Sequence, residues 1–385
     1  MISGGAGFGP TAGGLISYYD GLLGAFGREP TVTGVKAFVS PHNGSLAVPD
    51  HPKIATVACR GLPSIRSGRV LYEQTALALL SRREGIDVLL STCNTKPFLR
   101  RAPTVIVLQS LQHFLLPRGQ IRGLRAAYIE QVVPRALRDA DVVIAVSETE
   151  RVDAIRLFGL DPERVLTVHH GMSNWAREIM DETEPGPAFA PPGGRPYVLI
   201  VSRLYALKNH ARLIEAFAQL VGKGEIEHEL LIAGGDADIK RRDLERLAAG
   251  LGVGDRVRCL GPVPQAEIPA LFRGADAIAY PSLYETFGHP VLEAFAFGKP
   301  LLTSAHGATP EVAGGAAVLS DPTSVEAIAD GLRTILLDDA VRARLARAGP
   351  RRARDFTWQR CAAGTLRALR LAVTTHEQRS SRRRG

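Results

Sequence analysis

Short apolar runs rich in β-branched residues recur along this chain, and each is followed by a loop or by a stretch with helical spacing. Such runs stand at 35–40, 54–59, 88–91, 105–108 and 142–146, with amphipathic stretches such as 72–83 and 123–138 between them. The alternation resumes later, with apolar runs at 197–202, 229–233, 257–260 and 277–280 and helical spacing near 210–222 and 239–251. Strands that each wait for a helix before the next strand are the pattern of parallel sheets wound with helices.

Between the two series the pattern lapses into Glu-Pro-Gly-Pro-Ala-Phe-Ala-Pro-Pro-Gly-Gly within 182–195. A Pro/Gly stretch of this kind reads as a linker, and 385 residues exceed what one core usually holds. The expected organisation is therefore two doubly wound α/β domains facing a cleft. The first occupies 1–180, the linker 181–195, the second 196–352, and a closing helix with a basic tail 353–385. In open parallel sheets ligands sit outside the carboxyl ends of the strands, so strand-to-loop junctions are where chemistry is sought.

Two junctions in the second half carry suitable residues. At one, a strand ends at Tyr280, a loop carries Glu285, and a helix begins after Gly288, with Pro290 in its first turn and Gly298 as its stop. Amides at Gly288, His289 and Val291 are expected to form an anion site at that helix start. Glu293, one turn in, suits a pair of vicinal hydroxyls, and Glu285 lies near whatever sugar follows the anion. Taken alone, each glutamate equally suits the positive end of the helix dipole. At the other junction a strand ends in Arg203, and Lys208 follows before the next helix. Two converging cations suit a departing diphosphate, Arg as a fork and Lys as a point charge; alone, either is an ordinary surface cation.

With Arg203 and Lys208, then Glu285 through Glu293, then Ser304 and Pro310-Glu311-Val312 in this order, the chain resembles the retaining GT-B glycosyltransferases of family 4. The likeness runs along nearly the whole chain. Gly13-Gly14 resembles the family's N-terminal glycine loop, 140–148 and 165–171 the end of its first domain, and Phe356-Thr357-Trp358 the start of its closing helix. The resemblance implies a GT-B fold whose C-terminal helix crosses back, and transfer of a hexosyl group from a UDP- or GDP-sugar with retention and without a metal or other cofactor. It implies that Arg203 and Lys208 hold the donor diphosphate and Glu293 the ribose. Glu285 stands beside the sugar, with the Phe287 and Gly288 amides near its hydroxyls or phosphate, and Gly13 and Gly14 allow backbone approach from the other domain. Two features depart from the pattern. The apolar strand before the glycine loop is too short, so the native start lies upstream or the strand is truncated. Where the family often has a histidine after 105–108, this chain has Gln109, which makes the sugar contact an amide.

Other motifs fit other chemistries less well. Asp236-Ala237-Asp238 matches the metal-binding pattern of a different transferase class, but here it follows a strand as a turn. Gly4, Gly7 and Gly9 have no strand before them to make a dinucleotide fingerprint. His169-His170 lacks a third metal ligand and reads as a turn, with His170 a candidate cleft residue. Tyr72-Glu73-Gln74 suits acceptor contact or packing equally. An epimerase or hydrolase of the same fold, or a non-catalytic sugar-nucleotide-binding protein, uses the same donor residues. The acceptor is open among a glycan, a lipid-linked glycan and a small metabolite. Scattered Cys59, Cys93, Cys259 and Cys361, the absence of a long apolar run and an N-terminus without leader character point to a cytoplasmic protein. The net charge of +8 reads first as dispersed surface arginines. Its second reading is peripheral contact of the tail (Arg379, Arg382, Arg383, Arg384) with the inner, anionic membrane face. Nucleic acid ranks last, since that cluster lacks aromatics for base stacking.

Overall fold

The computed structural model describes residues 13–39, 48–59, 72, 74–92, 94–98, 102–115 and 124–382. The chain forms two units, Met1–Ser173 together with Phe356–Gly385, and Asn174–Asp355. Both are α/β units built on parallel strands.

In the first unit, β1 (Val35–Val39) pairs in parallel with β2 (Ile54–Ala58). Strands β3 (Leu89–Ser91), β4 (Thr104–Leu108), β5 (Val142–Ala145) and β6 (Val165–Thr167) form a second parallel sheet in that order. Every residue of β4 and β5 is buried, as expected of a parallel sheet covered on both faces. Ile106, Leu108, Leu137, Val143 and Phe158 share one core cluster. The 25-residue helix Trp358–Arg382 packs on β4, on β5 and on helix Gly13–Arg28. The closing helix thus belongs to the first unit, and Met172 N donates to Phe356 O where the chain returns to it.

The second unit carries strands β7 (Tyr197–Val201), β8 (Glu229–Ala233), β9 (Val257–Gly261), β10 (Ala277–Tyr280), β11 (Leu301–Ser304) and β12 (Val318–Ser320). They form one six-stranded parallel sheet in the order β12-β11-β10-β7-β8-β9. Helix His210–Gly222 turns Leu213, Ile214, Phe217 and Leu220 inward, the i, i+1, i+4, i+7 stripe of an amphipathic helix. Helix Val325–Leu337 buries Ile328, Leu332 and Ile335 in the same way, its start capped by Ser324. Strand order reverses between β7 and β10, which pair directly. The loops leaving their carboxyl ends therefore rise side by side at the switch point of the sheet.

Three expectations change. The domain boundary falls at Ser173/Asn174, not near 180, because helix Asn174–Asp181 packs with the second unit and Trp175 lies against Phe272 and Phe297. The segment 181–195 is not a free linker: Phe189 N donates to Ala270 O, Glu182 pairs with Arg273, and Tyr197 lies edge-on to Phe189. The basic tail is not distinct from the closing helix: the helix runs to Arg382, and Arg379 donates to Ala140 O at 3.1 Å beside the buried Asp141 carboxylate. The expected shortened first strand, the glycines at 4, 7 and 9, Glu73, Cys93, Arg383 and Arg384 lie outside the described residues.

Candidate active site

The site grows from the two switch-point loops of the second unit. After β7, Leu204 forms a lone bridge with Asp236, and a single 3-10 turn spans Ala206–Lys208. Asn209 then takes a left-handed conformation (φ 62°) and caps helix His210–Gly222. After β10, Pro281 follows the strand, Gly288 caps helix His289–Ala296 at φ 98°, and Pro290 occupies its first turn. That φ is one a side chain would resist. Gly298, also left-handed, stands just past the end of this helix.

These loops bring Lys208 and Glu285 together. Nζ of Lys208 donates to Oε1 of Glu285 at 2.6 Å, with one-fifth of the lysine side chain and one-tenth of the glutamate exposed. The ammonium also stands 5.0 Å from the centre of the buried Tyr280 ring. Burial alone would lower the lysine, but the Glu285 carboxylate, with Tyr280, holds it above its ordinary value. Burial raises the Tyr280 hydroxyl, with the Glu285 charge adding to the effect. A backbone link also joins the loops, from Leu283 N to Leu207 O at 2.8 Å.

Two histidines flank the pair. Burial pushes His289 down to about 4, with the Glu285 charge opposing. Burial pushes His210 down to about 4 as well, aided by the Lys208 charge. Nε2 of His210 lies 2.9 Å from Ser202 Oγ. In both, burial disfavours the charged imidazole.

Arg203 is held differently. Its guanidinium donates to Tyr205 Oη at 3.1 Å and to Asp236 O at 3.0 Å. The two carboxylates of the Asp236–Asp238 turn accept backbone amides, Asp236 from Arg241 and Asp238 from Ala206. They fasten the loop that carries both cations. The helix start is narrower than expected, because Val291 N donates to Gly288 O and is not open to an anion. Phe287 is buried, edge-on to His289, and Glu293 is half-buried one turn into the helix. Behind Glu285 sits Gly307 (φ 66°), where a Cβ would stand 2.7 Å from the Glu285 carbonyl oxygen. Gly307, Asn209 and Tyr280 are site residues that motif reading passed over. The signals were a glycine after Ser304, an asparagine directly before a helix, and a tyrosine ending its strand.

The remaining candidates belong to the first unit. Gly13 and Gly14 begin helix Gly13–Arg28 instead of lying in a loop. Gln109 leaves the carboxyl end of β4, its own amide bound to Asn94 Oδ1 at 2.8 Å, and its side-chain Nε2 is buried without a partner among the described residues. His170 packs against the rings of Tyr18 and Trp358, at 4.6 and 6.1 Å, and these two rings also meet each other, at 6.0 Å.

Residues 35–173 match the model of Glycosyltransferase Family 4 and residues 183–352 that of Glycosyl transferases group 1. Among curated relatives, O-antigen chain mannosyltransferase B of Escherichia coli is 30% identical over 260 residues, 64% of this chain and 65% of its own length. D-inositol 3-phosphate glycosyltransferase of Salinispora tropica is 34% identical over 278 residues, 66% of this chain and 54% of its own. The chain thus spans about half to two-thirds of these relatives. Among solved structures, HepE of Anabaena in complex with UDP superposes with a TM-score of 0.67 at 18% identity, over 99% of this chain and 97% of that one. At that identity the likeness concerns the fold.

Proposed function

The chain belongs to the GT-B glycosyltransferases, with a family 4 segment followed by a group 1 segment, and on that premise we propose that it transfers a hexosyl group from a UDP- or GDP-sugar to an acceptor hydroxyl with retention of configuration. The observation that carries this reading is the Lys208–Glu285 pair at the switch point, beside the start of helix His289–Ala296. The bond between the sugar's anomeric carbon and the β-phosphate oxygen breaks, and the acceptor oxygen bonds to the same carbon on the same face. The leaving diphosphate takes the acceptor proton. Charge grows on that diphosphate as it departs, and fixed cations facing it lower the barrier. Arg203 and Lys208 supply them in the absence of a metal. The amides at Phe287 and Gly288 meet the sugar or phosphate, Glu293 the ribose hydroxyls and Glu285 the sugar. Gly13, Gly14, Gln109 and His170 are the first unit's contributions to donor or acceptor contact.

The acceptor is a hydroxyl of a glycan, a lipid-linked glycan or a small metabolite. The names of the relatives already span an O-antigen chain and an inositol phosphate. Among the described residues no helix is long and apolar enough to cross a membrane. A peripheral membrane position would use the surface arginines, with Arg379 withdrawn from it by Asp141.

The test is nucleotide release from UDP-glucose, UDP-galactose, UDP-N-acetylglucosamine and GDP-mannose, with and without glycan and inositol phosphate acceptors, followed by NMR of the product's anomeric carbon. Acceptor-dependent release with retention is expected. Release to free sugar alone makes the protein a hydrolase, a rearranged donor makes it an epimerase, and nucleotide binding without turnover makes it a sugar-nucleotide-binding protein.

A further inference from the structure

Asn209 has a backbone and a side chain that both do unusual things. Its φ of 62° lies in the left-handed region, where asparagine is among the few side chains tolerated. The residue is 4% exposed. Its side-chain Nδ2 donates twice, to Pro281 O at 3.0 Å and to Pro322 O at 2.7 Å, and its Oδ1 accepts from Arg212 Nη1 at 3.1 Å. Pro281 opens the loop that carries Glu285, and Pro322 lies in the loop that follows β12. One amide group therefore ties the loop after β7 to the loops after β10 and β12, immediately next to Lys208. Both acceptors are proline carbonyls, and a buried carbonyl left without a donor is costly. This arrangement exceeds what a helix cap needs: the Asn209 side chain makes no bond to its own helix's first amides, as a cap would.

We propose that Asn209 is a positioning residue, which fixes Lys208 opposite Glu285 so that the ammonium meets the departing diphosphate in one place. This inference rests on the donor-site reading above for its kinetic half, though not for its geometric half. Without the side chain, the loop after β7 keeps the Leu283–Leu207 backbone link but loses both side-chain ties. Lys208 then samples several orientations, and a misplaced catalytic charge loses rate far more than affinity. Glycine at 209 retains the left-handed backbone and removes only the ties, so it separates conformation from positioning.

The test measures two things on purified full-length wild-type, Asn209→Gly and Arg212→Ala proteins. The first is the acetylation rate of Lys208 by acetic anhydride, read by peptide mass spectrometry against Lys240 as internal reference. The second is kcat and KM for UDP or GDP release from the donor that the wild-type protein turns over. In folded Asn209→Gly, Lys208 is expected to label about tenfold faster, and kcat to fall about 10- to 100-fold with KM changed less than threefold. Arg212→Ala, which only loosens the amide, is expected to move both in the same direction by a smaller factor. An unchanged labelling rate in Asn209→Gly overturns the proposal. Should that variant not fold, unchanged labelling in Arg212→Ala overturns it instead. Faster labelling in a protein that releases no nucleotide from any donor supports the positioning and sinks the transferase reading.

Discussion

The ammonium of Lys208 and the carboxylate of Glu285 meet at 2.6 Å although they leave different strands of the sheet, β7 and β10, on either side of its switch point. Each satisfies the other. Under the proposed function, a diphosphate would compete with Glu285 for the lysine, which would then face the sugar–phosphate bond that breaks.

Replacing Lys208 or Arg203 by alanine is expected to lower kcat/KM about a hundredfold or more, the usual cost of losing one preorganised charge at a developing anion. Lys208→Arg recovers only part, because a planar fork does not fit a buried contact made by a point charge. Nucleotide release measured under kcat/KM conditions checks this, and near-wild-type rates in both alanine variants exclude the assignment.

Glu285→Gln removes the lysine's counter-charge while keeping its shape. A cation left partly buried costs about 1–3 kcal/mol, visible as a lower urea midpoint at pH 7. The Lys208→Met, Glu285→Gln double variant is expected to recover part of that loss. A double-mutant cycle whose coupling lies within error of zero means that the pair does not form in solution.

The two depressed histidines make a signed prediction. His210 and His289 are neutral in the fold down to about pH 4 and protonate near 6.5 once unfolded. The unfolded state therefore binds more protons between these values, so stability is fully present above 6.5 and is lost as pH falls towards 4. The slope is about 1.4 kcal/mol per pH unit for each histidine. Urea melts at pH 7, 5.5 and 4.5 give the slope, and a His289→Asn variant is expected to show about half of it.

Gly307→Ala places a methyl group 2.7 Å from the Glu285 carbonyl oxygen, at a backbone angle that disfavours any side chain. The left-handed angle alone costs about 1–2 kcal/mol, and relief of the clash moves the Glu285 loop. Lower thermal stability and a fall in kcat larger than the change in KM are expected. A crystal structure of the variant with Glu285 unmoved would refute this account.

Metal independence follows from the proposed roles of Arg203 and Lys208. EDTA is expected to leave the rate unchanged. Asp238→Ala is expected to lower it several-fold by releasing the Ala206 amide, with manganese giving no rescue. Loss of activity in EDTA that manganese restores assigns the Asp236–Asp238 turn to a metal instead.

Much of the frame was legible in the sequence because parallel strands buried on both faces are apolar throughout. β8 and β10 fall where the runs at 229–233 and 277–280 end. Helix His210–Gly222 matches its apolar spacing to the residue. The limits of the second unit were less legible: the stretch at 181–195 has a linker's composition, yet Phe189 and Glu182 find partners there that only the fold supplies. In the site, Arg203, Lys208, Glu285 and Glu293 stood out by type and spacing, whereas Asn209 and Gly307 act through backbone shape and contacts distant in sequence. Gln109 was singled out by comparison with a histidine pattern, and that its buried Nε2 has no partner among the described residues is visible only in three dimensions. The packing of His170 against Tyr18 and Trp358 was not legible, because a histidine in an aromatic cluster looks the same in one dimension as a histidine at a surface.

The second unit is one uninterrupted stretch of chain, while the first is assembled from both ends and is held at its seam by the Met172–Phe356 hydrogen bond. During synthesis, residues 174–355 can therefore collapse as soon as they clear the ribosome. The first unit must wait for helix Trp358–Arg382, the last described element to be translated, before β4 and β5 are covered. A nascent chain stalled anywhere before that helix exposes part of an apolar sheet to its surroundings. Loss of the C-terminal helix is thus expected to reduce the yield of soluble protein before it touches any kinetic constant.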